Sequence, residues 1–143
     1  MAIRYCNDGS RYLPEGRRRI SRWLAEAAAS EGYRITELTY IFCSSERLLE
    51  MNRQFLGHDY YTDVITFDYG ERREGWVSGD VFIDVETVAD NARRYGATRR
   101  EEMLRVMVHG LLHLCGQKDK TPRTNAQMHR KEDRYLALFR SME

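Results

Sequence analysis

The sequence predicts an α+β fold, built as a single domain in which a mixed sheet of about four strands packs against helices. The chain has 143 residues, the usual length of one domain, so residues 1–143 are expected to form a single unit. Strand and helix patterns are intermixed along the chain and two strand patterns are adjacent, which is typical of α+β proteins. One helix pattern, residues 103–115, is apolar on nearly every side and therefore predicts a buried helix.

The first strand and the first helix are predicted near the start of the chain. Residues 2–5 are expected to form a short strand. A helical pattern opens at Pro14 and ends at Gly32, a residue type that often lies just past a helix. The apolar face of this helix consists of residues at helical spacing, namely Ile20, Trp23, Leu24 and Ala27.

A second strand and helix come next, followed by two adjacent strands. Residues 34–44 predict a strand, and the serine pair at 44–45 is placed to cap a helix that ends before Gly57. Two runs rich in β-branched and aromatic residues, 62–69 and 75–86, are separated by a charged loop. These two runs are expected to form adjacent antiparallel strands.

Three helices are predicted for the last part of the chain. The first of them closes at Gly96. Thr98 is then placed to cap the apolar helix, with Glu101 three residues later as the partner of a capping box. The last helix is expected to follow Thr124, with Pro122 marking the boundary before it. The apolar helix therefore lies between two other helices in the sequence.

The bulk composition narrows the class of protein. The formal net charge is +1, so any binding of nucleic acid has to come from a local patch of charge. The three cysteines, Cys6, Cys43 and Cys115, form no metal-binding pair and no disulfide framework, which favours a reducing compartment. No signal-peptide pattern and no membrane-length apolar run is present. We expect a soluble cytoplasmic domain.

The apolar helix carries two histidines, His109 and His113, four residues apart. Residues at this spacing differ by only about 40° around a helix axis, so both imidazoles point the same way. That is the geometry needed to chelate one metal ion. The alternative is a pair of core histidines with hydrogen-bond partners, but two buried imidazoles in one pocket are costly to desolvate.

Two residues after the helix favour the metal interpretation. Gly116 is placed to end the helix and reverse the chain, which would bring Asp119 back toward the histidines. The spacing His-x3-His-x5-Asp, with this glycine included, is that of the metzincin metal ligands. Three protein ligands leave one position open, as in a catalytic site. His109, His113 and Asp119 are therefore the predicted ligands.

Gly110 changes the chemistry that this site is expected to perform. In metalloproteases the position after the first histidine holds the glutamate that acts as general base, and a glycine cannot do so. A metal ion can still lower the pKa of a bound water toward about 7 and polarise a phosphoryl oxygen. Lys118, Lys120 and Arg123 border the site and could neutralise phosphate charge. Cleavage of a phosphodiester is therefore the preferred reaction.

At these residues the sequence resembles the YbeY endoribonucleases, whose signature reads H-G-x-L-H-L-x-G-Y-D-H. Six positions match it in order: His109, Gly110, Leu112, His113, Leu114 and Gly116. Residues 51–69 are similar to a second family segment, through Asn52, Phe55, Asp59, Thr62, Asp63, Val64 and Phe67. Residues 79–84 are similar to a third, and Glu102 falls on a family glutamate that precedes the first histidine.

The resemblance implies a bacterial metalloprotein of α+β fold with one zinc ion per chain. It also implies a single-strand-specific endoribonuclease that matures the 3′ end of 16S rRNA, the RNA of the small ribosomal subunit, and that takes part in ribosome quality control. The implied partners are single-stranded RNA, rRNA and the small subunit, with no membrane. For the oligomeric state we expect a monomer.

The sequence departs from the family pattern at functional positions. The third histidine of the family is Asp119 here, and two histidines with one carboxylate also suit iron, so iron or nickel is an alternative to zinc. The family arginine that serves as a phosphate clamp falls on Leu56. Arg53 lies one helical turn earlier, and we hypothesise that it substitutes. His58 falls on a family lysine and is a candidate RNA-binding residue facing the cleft.

Three other functions are weighed against RNA hydrolysis. The first is a ribosome-assembly factor that binds RNA and uses the metal mainly for structure, which the loss of the arginine keeps open. A metalloprotease is disfavoured because Gly110 leaves no helix-borne base. An Fe(II) oxygenase is disfavoured further, since no other motif suggests a pocket for a co-substrate.

Overall fold

The computed structural model describes residues 2–57, 62–70 and 74–142. These ranges contain four strands and five helices in a mixed order. They are β1 (Ala2–Asp8), α1 (Arg17–Ser30), β2 (Arg34–Cys43), α2 (Ser45–Leu56), β3 (Val64–Asp68), β4 (Trp76–Asp84), α3 (Val85–Tyr95), α4 (Arg99–Leu114) and α5 (Pro122–Ser141). The predicted α+β class is confirmed.

The four strands form one mixed sheet in the order β1-β2-β4-β3. β1 pairs with β2 and β2 pairs with β4 in parallel, while β3 runs antiparallel to β4. The pairing places Tyr5 beside Tyr40 and Tyr40 beside Val81, all three facing the main core. The adjacent antiparallel pair expected from the sequence is therefore β3 and β4.

The two faces of the sheet are covered by different helices. On one face α1, α4 and α5 enclose the main core, in which Trp23, Tyr135 and Leu111 are fully or almost fully buried. On the other face α2 covers a smaller cluster that includes Leu48, Met51 and Ile65. The buried helix α4 thus lies directly on the sheet, as its apolar composition predicts.

Two glycines permit α4 to approach the sheet closely. A Cβ atom on Gly110 would lie 2.7 Å from Cγ1 of Val81 on β4, and one on Gly79 would lie 2.9 Å from Cδ2 of Leu114 on α4. Neither distance is compatible with a real Cβ contact, so a larger side chain would push α4 away from β4. Gly110 stands where metalloproteases carry the glutamate that acts as general base. It also has this packing role.

Several predicted boundaries need correction. β1 extends to Asp8, because it pairs with β2 along its whole length. α1 begins at Arg17 rather than Pro14, since Gly16 takes a left-handed conformation with φ 70° before the first turn. α5 begins at Pro122 rather than after Thr124, because the side chain of Thr121 caps it and Pro122 occupies the first turn.

The N-caps predicted at residues 44 and 98 are confirmed, but among the described hydrogen bonds the Glu101 side chain does not return one to the Thr98 amide, so the predicted capping box is only half formed. The side chain of Ser44 accepts a hydrogen bond from the Arg47 amide, and that of Thr98 accepts one from the Glu101 amide. In the part of the chain that the structure describes, no helix has the length and apolarity that crossing a membrane would require.

Candidate metal centre

The two histidines lie on one side of α4, close to its C-terminal end. Their rings are 4.5 Å apart between centroids and nearly perpendicular, at 85°. The Tyr40 hydroxyl donates a hydrogen bond of 2.8 Å to the Met107 carbonyl, which ties this part of α4 to the sheet. The common orientation predicted for His109 and His113 is therefore present in the structure.

Gly116 ends α4 in the way that its spacing suggests. It has φ 94°, in the left-handed region that favours glycine, and its amide donates to the His113 carbonyl. The Gln117 amide donates to the Leu112 carbonyl, which completes the reversal of the chain. The Gln117 carbonyl in turn lies 3.1 Å from Nδ1 of His113. A carbonyl can only accept, so Nδ1 carries the proton and Nε2 keeps its lone pair.

Asp119 lies where the turn brings it, against both imidazoles. Its Oδ2 atom is 3.3 Å from Nε2 of His113 and 3.5 Å from Nε2 of His109. These distances are long for charge-assisted hydrogen bonds, which are about 2.7–2.9 Å. Ligand atoms about 2.0–2.2 Å from a tetrahedral zinc ion lie about 3.3–3.6 Å from each other. The spacing of the donors therefore fits a shared metal ion.

His109, His113 and Asp119 are set apart from the other potential metal ligands of the described residues. Within those residues, only His109, His113 and Asp119 bring three histidine, cysteine or carboxylate ligand atoms within 4.8 Å of one another. Their side chains are between 21% and 27% exposed, so the site is reachable from solvent. Three ligands with an accessible side resemble catalytic metal sites more than closed structural ones.

Glu132 on α5 completes the site, and the sequence reasoning missed it. Its Oε2 atom lies 2.6 Å from Nδ1 of His109, and its Oε1 atom accepts a hydrogen bond of 3.0 Å from Arg105. Glu132 is only 2% exposed. Histidines that bind metals usually donate the proton of their other nitrogen to such an acceptor, which fixes the tautomer and orients the ring.

A signal for Glu132 exists in the sequence, although it is weak. The residue lies on the core-facing side of α5, in line with Met128, Tyr135, Leu136 and Phe139, all of them buried. A carboxylate in the middle of an apolar helix face requires a buried partner. The sequence does not identify that partner, because His109 lies 23 residues earlier on another helix.

The pKa values of His109, His113 and Glu132 are shifted by burial and by the contact between Glu132 and His109. Burial acts to lower the pKa of His109, but the hydrogen bond and charge of Glu132 overcome it and raise that pKa. Burial and the neighbouring His109 lower the pKa of His113. For Glu132, burial acts to raise the pKa, and the contacts with His109 and Arg105 outweigh it and lower the pKa. Glu132 is therefore an ionised acceptor toward His109.

Two cavities adjoin the centre, one beside each histidine. A cavity of about 410 Å³ is lined by His113 and Asp119 together with Lys118 and Lys120. A larger cavity of about 550 Å³ is lined by His109 and by residues of α3, α4 and α5. The two lysines predicted from the sequence are thus brought to the candidate centre.

The other predicted site residues either line neither cavity or lie outside the described residues. Arg123 is exposed in the first turn of α5 and does not line either cavity. Arg53 is exposed in the last turn of α2, the helix on the opposite face of the sheet from α4, and lines neither cavity. His58 lies outside the described residues.

Comparison with known proteins identifies the family. The family model described as Endoribonuclease YbeY matches residues 8–140 of this chain. A protein named Endoribonuclease YbeY from Bacteroides thetaiotaomicron is 46% identical over 140 residues, covering 96% of this chain and 99% of the relative. One of the same name from Cytophaga hutchinsonii is 48% identical over 136 residues, covering 95% and 94%.

A solved structure supports the fold. The solution structure of a protein from Thermotoga maritima matches with a TM-score of 0.67 and 28% identity, covering 96% of this chain and 88% of that one. The resemblance predicted from the signature around His109 is therefore confirmed along almost the whole chain. This chain belongs to the Endoribonuclease YbeY family.

Proposed function

We propose that this chain, residues 1–143 acting as one domain, is a metal-dependent endoribonuclease that cleaves single-stranded RNA. The observation that carries the proposal is the position of Asp119, whose Oδ2 atom lies 3.3 Å and 3.5 Å from the Nε2 atoms of two helical histidines. Relatives of nearly equal length that bear the name Endoribonuclease YbeY support an RNA substrate.

His109, His113 and Asp119 would hold one zinc ion, with iron or nickel as alternatives because one ligand is a carboxylate. When bound, the ion would supply an activated water and a Lewis acid for the phosphoryl oxygen. In the neutral imidazoles, the contacts of Nδ1 with Glu132 and with the Gln117 carbonyl place the proton on Nδ1 and leave Nε2 able to bind a metal ion. Glu132 is occupied by His109 and Arg105, so its assigned role is to orient the ligand.

The cavity beside His113 is the proposed phosphate side of the site. Lys118 and Lys120 line it, and their charges would offset those of the phosphates on either side of the cleaved bond. Arg123, exposed in the first turn of α5, would extend this cationic surface. Arg53 remains the proposed replacement for the family arginine, on the sequence spacing of one helical turn from Leu56, although α2 covers the opposite face of the sheet from α4. His58 remains a proposed RNA contact.

The natural substrate proposed is the 3′ end of 16S rRNA, with the small ribosomal subunit as partner and the cytoplasm as location. This part of the proposal is supported by the family to which the chain belongs. The formal net charge of +1 agrees with a protein that recognises RNA through a local surface rather than through bulk charge.

The decisive experiment measures metal content and cleavage together. We expect the purified protein to carry about one metal ion per chain and to cut a 5′-labelled single-stranded RNA but not the corresponding duplex. Asp119→Ala should lose both the metal and the cleavage. Asp90→Ala, which changes an exposed aspartate on α3, is the matched control. Equal metal content in wild type and Asp119→Ala would show that Asp119 is not a ligand.

Arg53 and His58 are tested in the same cleavage assay. Arg53→Ala and His58→Ala should each slow cleavage while metal content stays at the wild-type value. Unchanged cleavage in either variant would remove that residue from the proposed site.

An RNA-binding assembly factor with a mainly structural metal is the second candidate, because Leu56 stands where the family arginine is expected. His113→Ala separates the two functions. The hydrolase predicts a folded variant that still binds RNA but does not cleave it. The structural-metal alternative predicts a variant that does not fold, which circular dichroism would detect. Metal-dependent turnover of a peptide substrate would instead indicate a protease.

A further inference from the structure

The cavity beside His109 differs in chemistry from the lysine-lined one. Its volume of about 550 Å³ falls within the range of about 300–1,000 Å³ that is usual for small-ligand sites. Because His109 is part of its lining, an occupant would lie against the candidate metal centre. What this cavity accepts can be inferred from the hydrogen-bonding groups that it exposes.

Among the described residues, no other side chain donates a hydrogen bond to two carboxyl groups that line the cavity, the buried Glu102 and the partly buried Asp63. Glu102 is 7% exposed, and among the described residues none donates a hydrogen bond to its carboxylate. Asp63 is contacted by its own backbone amide. Burial raises the pKa of both groups. Buried acceptors without donors are costly, so an occupant that supplies N–H groups would be stabilised here.

The rest of the lining suits a flat, partly apolar ligand. Val106 and Met128 contribute buried apolar side chains. Tyr95, at the end of α3, is 67% exposed and also lines the cavity. Proteins that bind single-stranded nucleic acid commonly stack bases on exposed aromatic rings of this kind.

Neither a phosphate nor a second metal ion fits these observations. The guanidinium of Arg105 is engaged by Glu132 and Asp133, and His129 lies 3.3 Å from Glu132, so the cations of the lining already have acidic partners. A phosphate in this cavity would therefore be repelled by the carboxyl groups of Glu102 and Asp63 without a cation of its own. Within the described residues, the cavity's carboxylates also do not converge as metal ligands do, since no group of three there comes within 4.8 Å.

We propose that this cavity is a nucleobase subsite that prefers bases with an exocyclic amine, namely adenine, cytosine and guanine, over uracil. The proposal deepens the proposed function and rests on it. Exocyclic amines donate hydrogen bonds to carboxylates such as Glu102 and Asp63. Uracil carries a carbonyl oxygen where cytosine carries its exocyclic amine, and this oxygen repels a carboxylate. The base would occupy this cavity while the phosphates lie beside Lys118 and Lys120.

The test is titration of the ¹⁵N-labelled protein with free nucleosides, followed by NMR. Cytidine is compared with uridine, and adenosine and guanosine are compared with inosine, so that each comparison replaces or removes an amino group. We expect the amine-bearing nucleosides to shift the amides of Ala97 and Val106 and to bind at least about fivefold more tightly than their counterparts. Equal affinity in every comparison would overturn the proposal.

Variants at Glu102 and Tyr95, with one at Glu101 as control, test whether the preference for amine-bearing nucleosides arises in this cavity. Glu102→Gln should bring the affinity ratio close to one, whereas Glu101→Gln, an exposed neighbour on the same helix, should keep the wild-type ratio. Tyr95→Ala should weaken binding of all the nucleosides because it removes the stacking surface. A wild-type ratio in Glu102→Gln, or shifts confined to residues outside the cavity, would also overturn the proposal.

Cleavage of single-stranded RNA by the same samples tests the proposed function separately. If wild type binds cytidine in the cavity but cleaves no RNA, the subsite stands and the proposed activity is wrong. If wild type cleaves RNA but the nucleosides show no preference, the activity stands and the subsite is wrong.

Discussion

The carboxylate of Glu132 lies 2.6 Å from Nδ1 of His109 and joins α5 to the helix that carries both histidines. The contact is almost fully buried on the glutamate side, at 3% side-chain exposure. Because the same carboxylate also accepts from Arg105, it is held from two directions. The orientation of His109 therefore depends on how α4 and α5 pack.

We predict that Glu132→Gln weakens metal binding. The amide keeps the size of the side chain but removes the charge that orients His109 and raises its basicity. Loss of such a supporting carboxylate typically costs about 10- to 100-fold in metal affinity. Competition with a chromophoric chelator measures the change. Asp133→Asn is the matched control, since Asp133 also contacts Arg105 but is 68% exposed. Equal affinity in Glu132→Gln and wild type would contradict the assigned role.

We predict that Gly110→Ala destabilises the protein although alanine favours helices. The new methyl group would lie 2.7 Å from Cγ1 of Val81, which is fully buried. Overpacking costs about 1–3 kcal/mol, and the gain in helix propensity returns up to about 1 kcal/mol. A net loss of about 1–2 kcal/mol should appear in urea unfolding.

The double variant Gly110→Ala with Val81→Ala provides the control for this packing effect. Removing the Cγ atoms of Val81 relieves the contact, so the double variant should be more stable than the sum of the single effects predicts. Strict additivity would show that the two positions do not touch.

We predict that chelation of the metal leaves the protein folded but less stable. The main core, with Trp23 and Leu111 fully buried, does not involve the three ligands. A metal present at 100 times its Kd stabilises the folded state by about 2.7 kcal/mol. Removal should therefore lower the Tm by roughly 5–15 °C, as measured by circular dichroism before and after zinc is restored. Unfolding on chelation would instead support a structural metal.

We predict selective alkylation of the cysteines. Cys6 is exposed, whereas Cys43 and Cys115 are buried. Burial raises the pKa of the Cys43 thiol to about 12, so almost none of it is thiolate at pH 8, and iodoacetamide reacts with the thiolate. Mass spectrometry should find one label at Cys6 under native conditions and three labels after denaturation. Native labelling of Cys43 would show that α2 opens from the sheet.

Local patterns were sufficient for most of the fold. The antiparallel pair β3 and β4 and the buried helix α4 follow from composition and periodicity over short windows. The pattern does not locate the start of α5, because the first turn of this helix is mostly exposed and carries no apolar periodicity before Met128. The pattern also does not locate the start of α1, because the left-handed conformation of Gly16 interrupts the helical pattern that begins at Pro14.

The sequence by itself determined the relation between His109 and His113, because residues four apart in a helix share a face whatever surrounds them. It also determined the turn at Gly116, since the residue type favours the left-handed conformation observed there. Only the tertiary structure decided that Glu132 supports His109. It also decided that His113 borders a cavity lined by lysines and that His109 borders a cavity lined by carboxylates. Those relations depend on how α3, α4 and α5 pack together, and contacts between distant segments leave no periodic trace in the sequence.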